Sequence, residues 1–200
     1  MKRRNDFEIG NDFRVIGVMG SGRGCGSTHF CMLLAVFFST FMGRRVALVE
    51  QTENDCYRQA GIILGNFPTQ RKIYEKVEIF MRSDSNMLPD ILSSGYDIVV
   101  IDFGSDFNAC KTQFLMCSKK IIVGNLSYHK LHEPVELLAR MNGKKAYEKC
   151  VYMACFGSER GIRYLRKKFG ISVRRIPFIP DPFRFTRKEI SELWEVIKEI

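Results

Sequence analysis

Near its start the chain reads Arg14-Val15-Ile16-Gly17-Val18-Met19-Gly20-Ser21-Gly22-Arg23-Gly24-Cys25-Gly26-Ser27-Thr28. Arg14 to Met19 is a β-branched apolar run, and four glycines fill the seven positions from Gly20 to Gly26. Thr28 to Met42 follows, long and apolar enough for a buried helix, with Gly43 placed to end it. A strand, a glycine loop and a helix in that order make an anion site. Glycines let several backbone N–H groups turn inward, and the helix adds the positive end of its dipole. Without a ligand the same segment is only a tight turn.

Working outward, strand and helix patterns alternate. Val46 to Val49 is a short apolar strand that ends in the polar cluster Glu50 to Asp55. Residues 55–75 contain Gly61, Gly65 and Pro68, which argue for a broken helix and a loop. Val77 to Phe80 reads as a strand and Met87 to Ser93 as a short helix. Ile98 to Ile101 is a continuous apolar strand, the kind covered on both sheet faces. Further strands are expected at Ile121–Val123, Val151–Ala154 and Ser172–Ile176, and helices at 129–141 and 158–169. Arg187 to Ile200 closes the chain as a helix with Ile190, Leu193, Ile197 and Ile200 on one face. The alternation predicts an α/β three-layer sandwich, a mostly parallel sheet flanked by helices. The length suits one domain over residues 1–200, with a tail at 1–13 and a terminal helix at 187–200.

Composition narrows the function classes. No apolar run approaches the roughly 18 residues of a membrane-spanning helix, and no signal region follows the basic start, so a cytoplasmic location is expected. Seven cysteines, an odd number with no CxxC pair, argue against a disulfide framework or a cysteine zinc site. They read as small buried apolar side chains. His129 and His132 lie one helical turn apart, but with only Glu133 nearby they lack the ligands of a metal site.

A second element answers the glycine loop. The strand from Tyr96 delivers Asp102 just before Gly104. Such a carboxylate can hold Mg²⁺ water beside a phosphate, and Thr28 can ligate the metal directly.

The loop, the strand to Asp102 and the Phe178-Ile179-Pro180 element together resemble the MinD/ParA branch of P-loop ATPases, including TadZ-like pilus and septum-positioning proteins. The resemblance spans nearly the whole chain and implies a P-loop NTPase-like fold that binds ATP or ADP with Mg²⁺. The family's loop has the form KGGxGK[ST]. Gly24, Gly26 and Thr28 match it, whereas the signature lysine falls on Gly22 and the phosphate-binding lysine on Ser27. The Asp-x-Asp pattern ending the family's second strand falls on Glu50 and Thr52, so the water-positioning aspartate is also missing. Asp102 matches the metal-side aspartate. Pro180 and Asp181 resemble the short loop beside the adenine, but the base-reading asparagine is not evident at Ala154-Cys155-Phe156.

The candidate nucleotide contacts are therefore Gly22, Arg23, Gly24, Cys25, Gly26, Ser27, Thr28, His29, Pro180 and Asp181, with Thr28 and Asp102 at the metal. Phosphoryl transfer depends on positioning and charge, so losing two lysines and an aspartate impairs turnover more than binding. Weak nucleotide binding without efficient hydrolysis, acting through dimer or partner contacts, is the expected function. The alternatives are a scaffold of the same fold that binds no nucleotide, and an ATPase whose charge is restored by Arg23 or by a partner's arginine. A dinucleotide site, with Glu50 on the ribose, would need GxGxxG. That spacing fails in every frame.

The net charge of +9 is unevenly spread. Lys144 to Lys188 carries a surplus of ten positive charges, and residues 189–200 an excess of three negative ones. Arg160, Arg163 and Lys167 share one face of the helix at 158–169, and Arg174 and Arg175 are expected to extend it. Such a surface suits non-specific DNA, as the resemblance also implies, or an acidic protein partner; equally, it is a solvated face. The family resemblance further suggests a homodimer. Its membrane-targeting helices are basic, whereas Glu189, Glu192, Glu195 and Glu199 make this terminal helix acidic, so no direct membrane binding is expected.

Overall fold

A computed structural model describes residues 15–51, 57, 71–74, 76–81, 87–198 and 200. The tail at 1–13, Thr52 and most of the 55–75 segment lie outside the described residues. The strands are β1 (Val15–Gly20), β2 (Val46–Glu50), β3 (Arg71–Tyr74), β4 (Val77–Phe80), β5 (Ile98–Asp102), β6 (Lys119–Leu126), β7 (Cys150–Gly157) and β8 (Val173–Arg175). The helices are α1 (Ser27–Thr40), α2 (Leu88–Ser93), α3 (Phe107–Met116), α4 (His132–Met141), α5 (Glu159–Phe169) and α6 (Arg187–Ile197).

The strands form one sheet in the order β3-β4-β2-β5-β1-β6-β7-β8. Seven run parallel, and β3 pairs antiparallel with β4 at the edge. β1 lies between β5 and β6, with β5 separating it from β2. A classic dinucleotide sheet places the first two strands side by side. The order therefore departs from a dinucleotide fold independently of the glycine spacing.

Both faces are covered, which is why β1, β2 and β5 are apolar up to the Glu50 and Asp102 carboxylates that end the last two. On one face α1 and α6 pack over Ile16, Val18, Val46, Leu48, Val100 and Ile121. α1 is apolar all round and accordingly sunk, with Phe30, Leu33, Leu34, Phe37 and Phe38 fully buried. α6 lies against it through Leu193 and Ile197, and Trp194 stacks on Phe37 at 6.4 Å. On the other face α2, α3, α4 and α5 cover Val99, Ile101, Ile122, Leu126 and Ala154.

Two boundaries differ from the sequence reading for polar reasons. β6 begins at Lys119 rather than Ile121 because both lysines find carbonyls: Lys119 Nζ donates to Ile200 O and Lys120 Nζ to Cys117 O, each at 2.8 Å. α4 begins at His132 rather than 129 because a turn occupies the preceding residues, with Lys130 N donating to Ser127 O. The six described cysteines are unpaired thiols, five of them buried. Among the described residues no helix is long and apolar enough to cross a membrane.

Candidate functional site

The glycine loop leaves β1 at the carboxyl edge of the sheet and is tied to both neighbouring strands. Gly20 N donates to Gly104 O at 2.6 Å, and Ser21 N to Val123 O at 2.8 Å. Gly24 and Gly26 have φ of 71° and 92°, values open to glycine and costly for other residues. Gly26 is the N-cap of α1, which has no side-chain cap and no acid in its first turn. The first amides of a helix have no partner within it. Here the glycine loop runs directly into the positive end of the α1 dipole.

Asp102 stands at the foot of this loop, fully buried. Its Oδ1 accepts from Gly104 N at 3.0 Å and its Oδ2 from the Tyr57 hydroxyl at 3.1 Å. The Thr28 side chain also hydrogen-bonds it, so the two proposed metal-side residues meet. Burial pushes the Asp102 carboxyl above its ordinary value, and the Thr28, Gly104 and Tyr57 hydrogen bonds partly counter the shift. Glu50 pairs in register with Asp102 on the adjacent strand and is likewise fully buried. In the dinucleotide reading Glu50 would face a ribose; its burial beside Asp102 gives it no such exposure.

Tyr57 and Cys31 complete the buried group. Both have pKa values pushed well up, first by burial and then by the negative charge of Asp102. Tyr57 is invisible in the sequence because it lies in a segment with no periodic pattern. Among the described residues no group of three or more His, Cys, Asp or Glu side chains forms a metal cage. The oxygen donors that do converge, the Thr28 hydroxyl and Asp102 carboxylate, suit a hard cation such as Mg²⁺, which commonly keeps most of its waters.

The remaining loop positions part company. Ser27 is buried, its hydroxyl 3.0 Å from where a Gly20 Cβ would stand, so it lies beneath the loop's start. Cys25 is also buried, its Sγ 2.6 Å from the same point. Arg23 is exposed. His29 Nε2 is 2.7 Å from Ile179 O, which joins α1 to the 178–181 loop predicted beside the base. There Pro180 is exposed, while Asp181 Oδ1 accepts from Phe183 N at 2.9 Å. The site residues on α1 and in this loop are thus neighbours.

Two contacts escape sequence reading because they join residues far apart in the chain. A Cβ on Gly26 would meet Cys155 Sγ at 2.6 Å, and one on Gly22 would collide with Glu133 Oε2. Beside Gly22 a cleft of about 590 Å³ opens, lined by Arg23, Gly104, Asp106, Glu133, Glu136 and Arg140 among others. A carboxylate therefore occupies the corner where the resemblance calls for a lysine.

Arg160, Arg163 and Lys167 are exposed along α5, whose Ile162 and Leu165 are buried beneath. Arg175 joins them through Glu159, Nε to Oε1 at 2.8 Å. Arg174 does not. It alternates with Val173, which packs under α5, and pairs with Met153 of the α1-side core. The expected five-residue surface is four.

No family model and no curated protein matches the sequence. Solved structures do. A ParA family ATPase from Chlorobium tepidum superposes with a TM-score of 0.64 at 15% identity, over 93% of this chain and 97% of that one. A putative plasmid partition protein from Borrelia burgdorferi, bound to AMPPNP, gives 0.65 at 15% over 94% and 100%. The septum site-determining protein MinD from Pyrococcus horikoshii, complexed with Mg-ADP, gives 0.63 at 18% over 94% and 96%. The fold is thus that of the P-loop NTPases, a parallel sheet flanked by helices. Within that class it is the ParA/MinD architecture.

Proposed function

We propose that the chain binds ATP or ADP with Mg²⁺ weakly at residues 22–28, does not hydrolyse it efficiently, and acts through dimer or partner contacts in positioning or assembly, in the manner of TadZ-like proteins. One observation carries the reading: the uncapped start of α1 lies behind two left-handed glycines, with Thr28 hydrogen-bonded to the buried Asp102. Backbone amides supply the phosphate contacts. Thr28 and Asp102 would hold the metal, whose chemistry is to neutralise phosphate charge. The Gly22 and Ser27 positions provide no cation, and turnover suffers most from that loss.

Calorimetric titration with ATP·Mg²⁺ and ADP·Mg²⁺, paired with a phosphate-release assay, tests the proposal. Expected are measurable affinity for both nucleotides and no release above background. Affinity no tighter than millimolar would leave a scaffold. Release lost in Arg23→Ala would identify an Arg23-dependent ATPase.

The four basic residues of α5 and β8 offer a surface to nucleic-acid phosphates or an acidic protein. A DNA mobility shift that fades along a salt series is the expected result for the former. α6 uses its apolar stripe against α1 and carries acids outside, which supports domain docking rather than membrane contact.

A further inference from the structure

The corner of the glycine loop that lacks a lysine has one close by in space. β6 lies beside β1, so the turn leaving β6 rises next to the loop that leaves β1. That turn is held by Asn125 Oδ1, which accepts from Ser127 N at 2.9 Å, and by Lys130 N donating to Ser127 O at 2.9 Å. Glu133 N then donates to Lys130 O at 3.1 Å, opening α4. Pro134 packs against Gly124, and Ser21 Oγ stands equally near that glycine. These contacts seat the start of α4 on the base of the loop.

Two side chains of this turn meet the loop. Glu133 Oε1 accepts from Lys130 Nζ at 2.6 Å, and the same carboxylate lies against Gly22. Glu133 Oε2 is buried and has no hydrogen-bond partner among the described residues. The Lys130 ammonium is therefore two contacts from the backbone of Gly22 and remains one-third exposed. Lysine's long stem and rotatable donors let it change partners at small cost, and a phosphate group offers more negative charge and more acceptor oxygens than a single carboxylate.

We propose that Lys130 supplies the cationic contact to bound phosphate that the loop itself lacks, and that Glu133 holds its ammonium at the Gly22 corner until phosphate arrives. This rests on the nucleotide reading above and names the residue that compensates for its missing lysine. Glu133 then opposes binding twice, by repelling phosphate and by retaining Lys130.

An ordinary ion pair and this exchange predict different signs. If the pair only braces the turn, Lys130→Ala and Glu133→Gln break the same contact and shift nucleotide affinity in the same direction. The exchange makes them opposite. Lys130→Ala weakens ATP·Mg²⁺ binding about tenfold, the loss of one charge-assisted contact. Glu133→Gln tightens it about threefold, and Lys130→Arg keeps it near the wild-type value. Titration of wild type and the three variants, each with a thermal melt to establish folding, is the experiment. Equal signs for the first two, or no change in Lys130→Ala, overturn the role of Lys130 while leaving nucleotide binding in place. Wild type without affinity overturns the nucleotide reading and this inference with it.

Discussion

The two ends of the glycine loop have been built to different standards. At the Thr28 end the loop rests on a buried carboxylate: Asp102 receives Thr28, Gly104 and Tyr57, and Gly26 is closed against Cys155. At the Gly22 end the loop opens on a cleft, no residue from Gly20 to Thr28 offers a lysine, and a carboxylate leans on the backbone. Phosphate capture depends on the first, because backbone amides and a helix dipole are properties of the fold. Rapid phosphoryl transfer depends on the second, because it needs positive charge positioned at the transferring group. The proposed binding and the proposed loss of turnover thus rest on different ends of the loop.

The most severe way to break this contrast is Gly26→Val. The position has φ of 92° and a Cβ would stand 2.6 Å from Cys155 Sγ. Strain and overpacking together should lower stability by about 3 kcal/mol, read by urea denaturation, and nucleotide binding should vanish.

Asp102→Asn should act in the opposite sense on stability. The Asp102 pKa is raised in the folded state, so folding favours its protonated form and its ionisation weakens the fold as pH rises above the ordinary carboxylate range. The neutral amide removes that penalty. A gain in stability is expected at pH 7, with a flatter stability–pH profile and loss of any Mg²⁺ dependence of nucleotide affinity.

The open end should tolerate more. Gly22→Ala places its Cβ against the tip of Glu133, a flexible side chain, and should cost less than about 1 kcal/mol. In a Glu133→Ala background the cost should disappear, and a double-mutant cycle measures the coupling. A full cost that survives in that background would show that backbone conformation, not the carboxylate, selects glycine there.

Smallest of all is the effect of replacing Arg160, Arg163 and Lys167 together by Ala. All three are exposed, so stability should move by no more than about 0.5 kcal/mol. Any DNA retardation at low salt should be lost, leaving nucleotide affinity unaltered.

Much of this contrast is legible in the order of residues alone. Alternating apolar strands and helices imply a covered parallel sheet, because buried strands must be apolar on both faces. Four glycines between a strand and a helix imply an anion cup, since few other sequences permit that backbone. Both readings rest on local chemistry, which a chain carries wherever it folds. Lys119 at the start of β6 and the face taken by Arg174 were misread because distant partners decide them, Ile200 for one and the strand beside it for the other; the turn before α4 is local and has no periodic signature. The company kept by the loop is likewise tertiary: β1 between β5 and β6 brings Asp102 to one side and Glu133 with Lys130 to the other. Sequence determined that a glycine loop joins β1 to α1 here. Only strand order, a long-range choice made by packing both sheet faces, decided which charges surround it.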